Sequence, residues 1–265
     1  DIRQILAQFD LDQRRNFEYA GAVREVTPFL VRHLQPPPEA SFILWSDLDD
    51  KTADDVIDGE IAYFRQRGHS FDWKVYAHDR PAGLVDRLMA RGFEVEEPND
   101  IMVLDVASAA GPLITLDAAD VRRLTDPAQL TDVVRILEPV WNENFDWVYK
   151  RMSGHMAIPG YLSIYVAYVD GVPACTGWTY YNPGHFAGLW GGSTLEAYRG
   201  RGLYTAVLAA RVKEAKERGV PYLVIDAGPM SRPIVARHGF VTMTTAIECT
   251  LTIGEEDGDP RHAPG

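Results

Sequence analysis

The chain has 265 residues, enough for one large or two small domains, and with 46% apolar and 24% charged residues it has the composition of a globular protein. Its formal net charge of −12 argues against a nucleic-acid surface, which needs clustered lysine and arginine, and leans towards a cationic or amine-bearing partner. No stretch approaches the roughly 18 uninterrupted apolar residues of a membrane span, and no basic start leads into an apolar segment, so neither a membrane protein nor a secretory signal is expected.

Two cysteines, Cys175 and Cys249, cannot build a disulfide framework, which suits a reducing cytoplasm. The histidines are scattered without paired metal-ligand spacing, so no metal is expected. The opening at Asp1 without a methionine points to trimming or renumbering and leaves room for an upstream segment.

In chain order, Pro36-Pro37-Pro38 reads as a rigid surface turn, and the acidic stretch Ser46-Asp47-Leu48-Asp49-Asp50 precedes a helix ending at Arg67-Gly68. A strand at 73–76, a helix at 82–91 closed by Gly92-Phe93, and a strand at 101–104 follow. The small residues and proline of 107–112 read as a flexible linker, dividing the chain into domains 1–110 and 111–253. The second domain then shows a strand at 121–124, a helix at 127–140, the aromatic and acidic run Trp141-Asn142-Glu143-Asn144-Phe145-Asp146-Trp147, and a hairpin of 161–169 with 172–181 about the turn pair Asp170-Gly171. A buried strand at 186–195 runs into Ala197-Tyr198-Arg199-Gly200-Arg201-Gly202-Leu203-Tyr204-Thr205-Ala206, and a helix at 202–218 has apolar residues at Leu203, Val207, Leu208 and Val212. A strand at 222–226, a short helix from Ser231 closed by His238-Gly239-Phe240, and a strand at 247–253 complete the domain; the tail 254–265, acidic and rich in glycine and proline, is expected to be disordered.

Gly200 and Gly202 carry most of the functional information, because a glycine turn between strand and helix can aim successive backbone N–H groups into one concavity at the positive end of the helix. That geometry suits a diphosphate. The turn, with Arg199, Gly202 and Tyr204 at the spacing Arg, two residues, Gly, one residue, small residue, resembles the pyrophosphate loop of the GCN5-related N-acetyltransferases (GNATs), with Tyr204 departing from the small residue. The order that follows, helix, strand, helix, Gly-Phe, strand, extends the resemblance over residues 119–253. It implies an α/β fold of mixed, mostly antiparallel central sheets flanked by helices. It further implies acetyl-CoA as co-substrate, with Ser193, Thr194 and Leu195 lining the pantetheine arm, Gly200, Arg201, Gly202, Leu203, Tyr204 and Thr205 donating to the diphosphate, and Arg199 and Arg201 adding charge.

The halves repeat one another: helix, Arg-Gly, strand, helix, Gly-Phe, strand. Superposing them sets position 51 opposite Gly202, so three carboxylates, Asp47, Asp49 and Asp50, stand where the glycine turn would be and would repel a diphosphate. The N-terminal half therefore reads as a degenerate GNAT-like domain without a cofactor site.

The tyrosine that the family often places four residues before the Gly-Phe glycine, to protonate the departing thiolate, is Val235 here. Ser231 and Tyr204 are the alternative acids; Ser231 also reads as a helix N-cap and Tyr204 as a packing residue. Glu143, between aromatics, is the candidate general base, with Glu196 and water-mediated base catalysis left open. The resemblance implies an N-acetyltransferase acting on a primary amine of a small molecule or peptide; a non-catalytic acyl-CoA sensor and an acyltransferase with another donor are the alternatives. Oligomeric state is open.

Overall fold

The structure, a computed structural model, describes residues 1–37, 39–115 and 119–254, so Pro38 and all but the first residue of the expected tail lie outside the described residues. Packing divides the chain into two compact units, Asp1–Asp100 with Met243–Gly265, and Ile101–Thr242.

The first unit starts with α1 (Ile2–Phe9), which runs into a π-helical turn at Asp10–Arg15. Then come β1 (Val23–Val26), β2 (Leu30–Leu34), β3 (Ser41–Ser46), α2 (Ala53–Arg65), β4 (Phe71–Tyr76), α3 (Leu84–Met89) and β5 (Glu94–Val95). The last strand of the chain, β12 (Val241–Leu251), pairs with β4 from Ala246↔Tyr76 to Leu251↔Phe71. The sheet order is β1-β2-β3-β4-β12 with β5 on β12; only β3–β4 is parallel among these pairs. α2 buries Ala53, Ile57, Ile61 and Phe64, at spacings of one helical turn, onto a core with Ile43, Phe71, Trp73 and Leu88. Each of the isoleucine, leucine and phenylalanine side chains so removed from water contributes about 1.5–3 kcal/mol.

The second unit takes β6 (Asn99–Asp105) from Ile101 onward, α4 (Pro112–Thr115), β7 (Asp120–Arg123), α5 (Leu130–Trp141), α6 (Trp147–Met156), β8 (Leu162–Val169), β9 (Val172–Tyr181), β10 (Phe186–Thr194), α7 (Leu203–Glu217), β11 (Tyr222–Ala227) and α8 (Arg232–Arg237). Its sheet runs β6-β11-β10-β9-β8-β7, with β10–β11 parallel and β7–β8, β8–β9 and β9–β10 antiparallel. Asp170 and Gly171, with φ of 51° and 78°, close the β8–β9 hairpin as a type I′ turn requires. Both units are thus mixed, mostly antiparallel sheets flanked by helices.

Three features differ from the sequence expectation. Residues 107–112 are not a free linker: Val106–Ser108 forms a 3-10 turn, and Val106 and Leu113 are buried in the core of the second unit with Leu208 and Leu223. Consequently the packing units do not divide at 110. β6 contributes to the second unit although it precedes that point, and most of β12 contributes to the first although it ends the other half. The run after α5 holds an unforeseen helix, α6, which begins at Trp147 and buries Val148, Met152 and His155.

Candidate active site

The site is built on a strand that parts from its neighbour. β10 pairs with β11 only from Phe186↔Tyr222 to Leu189↔Ile225, so residues 190–194 continue without a β11 partner. On its other side the register against β9 jumps from Trp190↔Trp178 to Ser193↔Thr176, which sets Gly191 and Gly192 opposite Gly177 alone. This is a β-bulge beside the opening, and its two glycines lie outside both ladders. Gly191 has φ of 63°, and a Cβ there would fall 1.8 Å from the Trp178 ring; a Cβ at Gly192 would meet the Tyr204 ring at 2.6 Å. Only glycine allows the strand to lie this close to both rings.

Past β10, a 3-10 turn at Glu196–Tyr198 leads into the glycine turn. Gly200 and Gly202 both take positive φ, 74° and 76°, and a Cβ on either would meet open space. Gly202 caps α7 in the left-handed conformation, and the first helical bond runs from the Ala206 N–H to the Gly202 carbonyl. The N–H groups of Leu203, Tyr204 and Thr205 therefore precede the ladder, the orphan donors of a helix start, where the macrodipole favours an anion. Arg199 and Arg201 are exposed beside them. The Arg199 Nε donates to the Thr194 carbonyl at 3.3 Å, and the Arg201 guanidinium lies 5.2 Å from the centre of the Tyr198 ring.

The other expected residues are distributed around this opening. Ser193 is buried, its Oγ accepting a hydrogen bond from the Trp141 indole at 3.0 Å, whereas Thr194 donates to the Cys175 sulfur at 3.2 Å. Leu195 is half-buried, its N–H bonded to the Ala174 carbonyl. Tyr204 packs beneath Gly192 among core residues; burial pushes its phenol up and the nearby Arg211 guanidinium draws it partly back. Val235 lies in the core with Leu208 and Phe240. Ser231 stands at the N-cap of α8 but its hydroxyl makes no cap bond, donating instead to the Gly228 carbonyl at 3.3 Å. Glu143 and Glu196 are exposed.

Several neighbours escaped the sequence reading. His238, closing α8, has its Nε2 3.1 Å from the Thr205 hydroxyl and so ties α8 to the start of α7; burial, then Arg237, holds its imidazole below the ordinary range. Arg211 on α7 is fully buried beneath the bulge. Trp141 and Trp190, each 50% exposed, flank Gly191-Gly192. A Gly-Gly pair inside an apolar strand was the one available signal for the bulge; long-range partners such as His238 leave none.

In the first unit the start of α2 is capped by its own chain. The Asp49 carboxylate accepts from the N–H groups of Lys51 and Thr52 at 2.9 and 2.8 Å and from the Thr52 hydroxyl, and these bonds hold it below the usual carboxylate range. Among the described residues no group of three or more His, Cys, Asp or Glu could hold a metal ion, and no helix is long and apolar enough to cross a membrane.

Residues 107–230 match the acetyltransferase (GNAT) domain family. Among curated proteins, none matches the chain. Similar solved structures include a GCN5-related N-acetyltransferase from Kribbella flavida, 14% identical with a TM-score of 0.68, covering 94% of this chain and 93% of that one. A tandem GNAT protein from the clavulanic acid biosynthesis pathway is 13% identical with a TM-score of 0.61, covering 90% and 86%. At such identities the likeness speaks for the fold. Residues 107–230 thus match the GNAT acetyltransferase domain family, in a chain that shares its fold with a tandem GNAT protein and a GCN5-related N-acetyltransferase.

Proposed function

We propose that the second unit binds acetyl-CoA and transfers its acetyl group to a primary amine of a small-molecule or peptide acceptor. One observation carries this reading: the opening between β10 and β11 leads directly to the unladdered N–H groups of Leu203, Tyr204 and Thr205. The opening suits the pantetheine arm, whose amides would pair with the free edge of residues 190–194, and the helix start suits the diphosphate. The unprotonated amine attacks the thioester carbonyl carbon, a C–N bond forms, the C–S bond breaks, and CoA leaves as thiolate to take up the proton the amine has lost. Held reactants supply much of the rate, and backbone donors at the bulge would stabilise the carbonyl oxygen as it gains charge. Ser231 and Tyr204 are retained as candidate acids and Glu143 as candidate base. Free, buried cysteines suit a cytoplasmic setting.

The N-terminal half, on this reading, has lost its cofactor site, because Asp49 fills the helix start a diphosphate would need. Calorimetry with acetyl-CoA, followed by a panel of amines screened for free CoA, tests the whole reading. Binding with CoA release is expected. Binding without release from any amine would favour an acyl-CoA sensor, for which the apolar Val235 in place of a tyrosine speaks; release only from another acyl-CoA would reassign the donor.

A further inference from the structure

Arg211 is a cation in an unusual place. Its guanidinium is 1% exposed and lies under Gly177, where a Cβ would come within 3.0 Å of its central carbon. Nη1 reaches the carbonyls of Trp178 and Trp190 at 3.4 and 3.5 Å, the residues that open the bulge, while Nε and Nη2 have no hydrogen-bond partner. Its charged neighbours offer no relief. Glu214, one turn along α7, is bonded to Ser163, Tyr165 and Arg218; burial draws the Arg211 guanidinium below its ordinary range, and Tyr204, Cys175 and Tyr181 oppose this only in part.

The first unit shows the contrast. β3 carries its own bulge, Leu44 standing between the pairs Val31↔Trp45 and Arg32↔Ile43, and the buried Arg14 donates from Nε to the Leu44 carbonyl at 2.8 Å. There the arginine is neutralised by Asp79 at 2.6 Å and Asp10 at 2.7 Å. A buried charge left unpaired costs stability that an apolar residue of similar volume would not, so holding the strand cannot be the whole use of Arg211.

Resting on the reading of the second unit as an acyl-CoA site, we propose that Arg211 is a positioning residue for acyl transfer. It holds the Trp178 and Trp190 carbonyls from beneath, fixing the bulge at Gly191 and Gly192. Its unneutralised charge stands behind the point where the thioester oxygen turns negative. A field of this kind, fixed before the reaction, favours the transition state over the ground state.

The test is vibrational difference spectroscopy of acetyl-CoA labelled with ¹³C at the carbonyl, bound to the full chain, with calorimetry and turnover in parallel. In the native protein the carbonyl band moves to lower frequency than in free acetyl-CoA. Arg211→Met returns it to the free position with affinity within about threefold, while kcat falls about tenfold or more. Should the methionine variant fail to fold, Arg211→Gln, which keeps N–H donors and removes the charge, decides: a shift that it reduces supports the proposal, and one that it leaves whole overturns it. An unshifted band in native protein that binds acetyl-CoA takes down this proposal alone. Absence of binding takes down the acyl-CoA reading and this proposal with it.

Discussion

Replacing Gly202 separates the backbone requirement of the loop from its charge requirement. Gly202 has φ of 76° and open space where a Cβ would project, so Gly202→Ala meets no clash and costs about 1–2 kcal/mol for the left-handed backbone. Gly202→Asp pays no more, because aspartate tolerates that conformation better than alanine does. Any additional loss of acetyl-CoA affinity in the aspartate variant is therefore electrostatic. A unit charge at about 5 Å from a phosphate charge, with an effective dielectric constant of about 20, is worth roughly 3 kcal/mol, or about a hundredfold in Kd. Calorimetry on native, Ala and Asp proteins should show a modest loss for alanine and about a further hundredfold for aspartate. The gap should narrow between about 0.01 and 0.15 M salt as the Debye length shrinks. A folded Gly202→Asp protein with the affinity of Gly202→Ala would refute the placement of the diphosphate at the start of α7.

Gly191→Ala, which drives a Cβ to 1.8 Å from Trp178, should destabilise by about 3 kcal/mol or more in urea unfolding, whereas Gly200→Ala, with open space at the same sign of φ, should cost about 1 kcal/mol. One acetyl-CoA should bind per chain, since Asp49 fills the helix start of the first unit; a stoichiometry near two would contradict this. Ser231→Ala should leave unfolding nearly unchanged, its hydroxyl making no cap bond, so a fall in kcat would mark it as the acid, and Tyr204→Phe tests the phenol in the same way. Asp72, which accepts from Thr250 at 2.7 Å, has its carboxyl pushed up by burial, with that hydrogen bond opposing. The native state thus binds the Asp72 proton more tightly than the unfolded chain, and stability falls as pH rises from below the unfolded value, about 3.9, through the native one. Asp72→Asn should be the more stable protein at pH 7, with the difference gone below about pH 4 in thermal unfolding.

The glycine turn, α7, the β8–β9 hairpin and the Gly-Phe close of α8 were legible because each rests on local chemistry: positive φ, apolar periodicity, turn pairs. The opening beside β10 was not legible in detail, since where a parallel ladder stops depends on both strands and on the ring of Trp178 beneath Gly191. Arg211 was not singled out, because nothing in the sequence reports that α7 is buried on nearly every side. The packing units divide elsewhere than at 110 for a related reason. Residues 107–112 look like a linker by composition, but Val106 and Leu113 on either side are core residues, and burial is a property of what arrives from elsewhere in the chain.

Most of β12 belongs to the unit formed by the first hundred residues, and its Thr250 hydroxyl donates to Asp72, 178 positions earlier. At synthesis rates of about 5–20 residues per second, β4 waits roughly 10–35 s for that partner. During the wait its edge is unpaired and the Phe71 and Trp73 it brings to the core are incompletely covered. The first unit to be made is thus the last to be finished, while residues 101–242 are all available before the closing strand leaves the ribosome. Shortening the chain from its C-terminal end through β12 should therefore strike the stability of the N-terminal unit, far from the cut in sequence, and an expression tag placed there is best kept clear of Leu251.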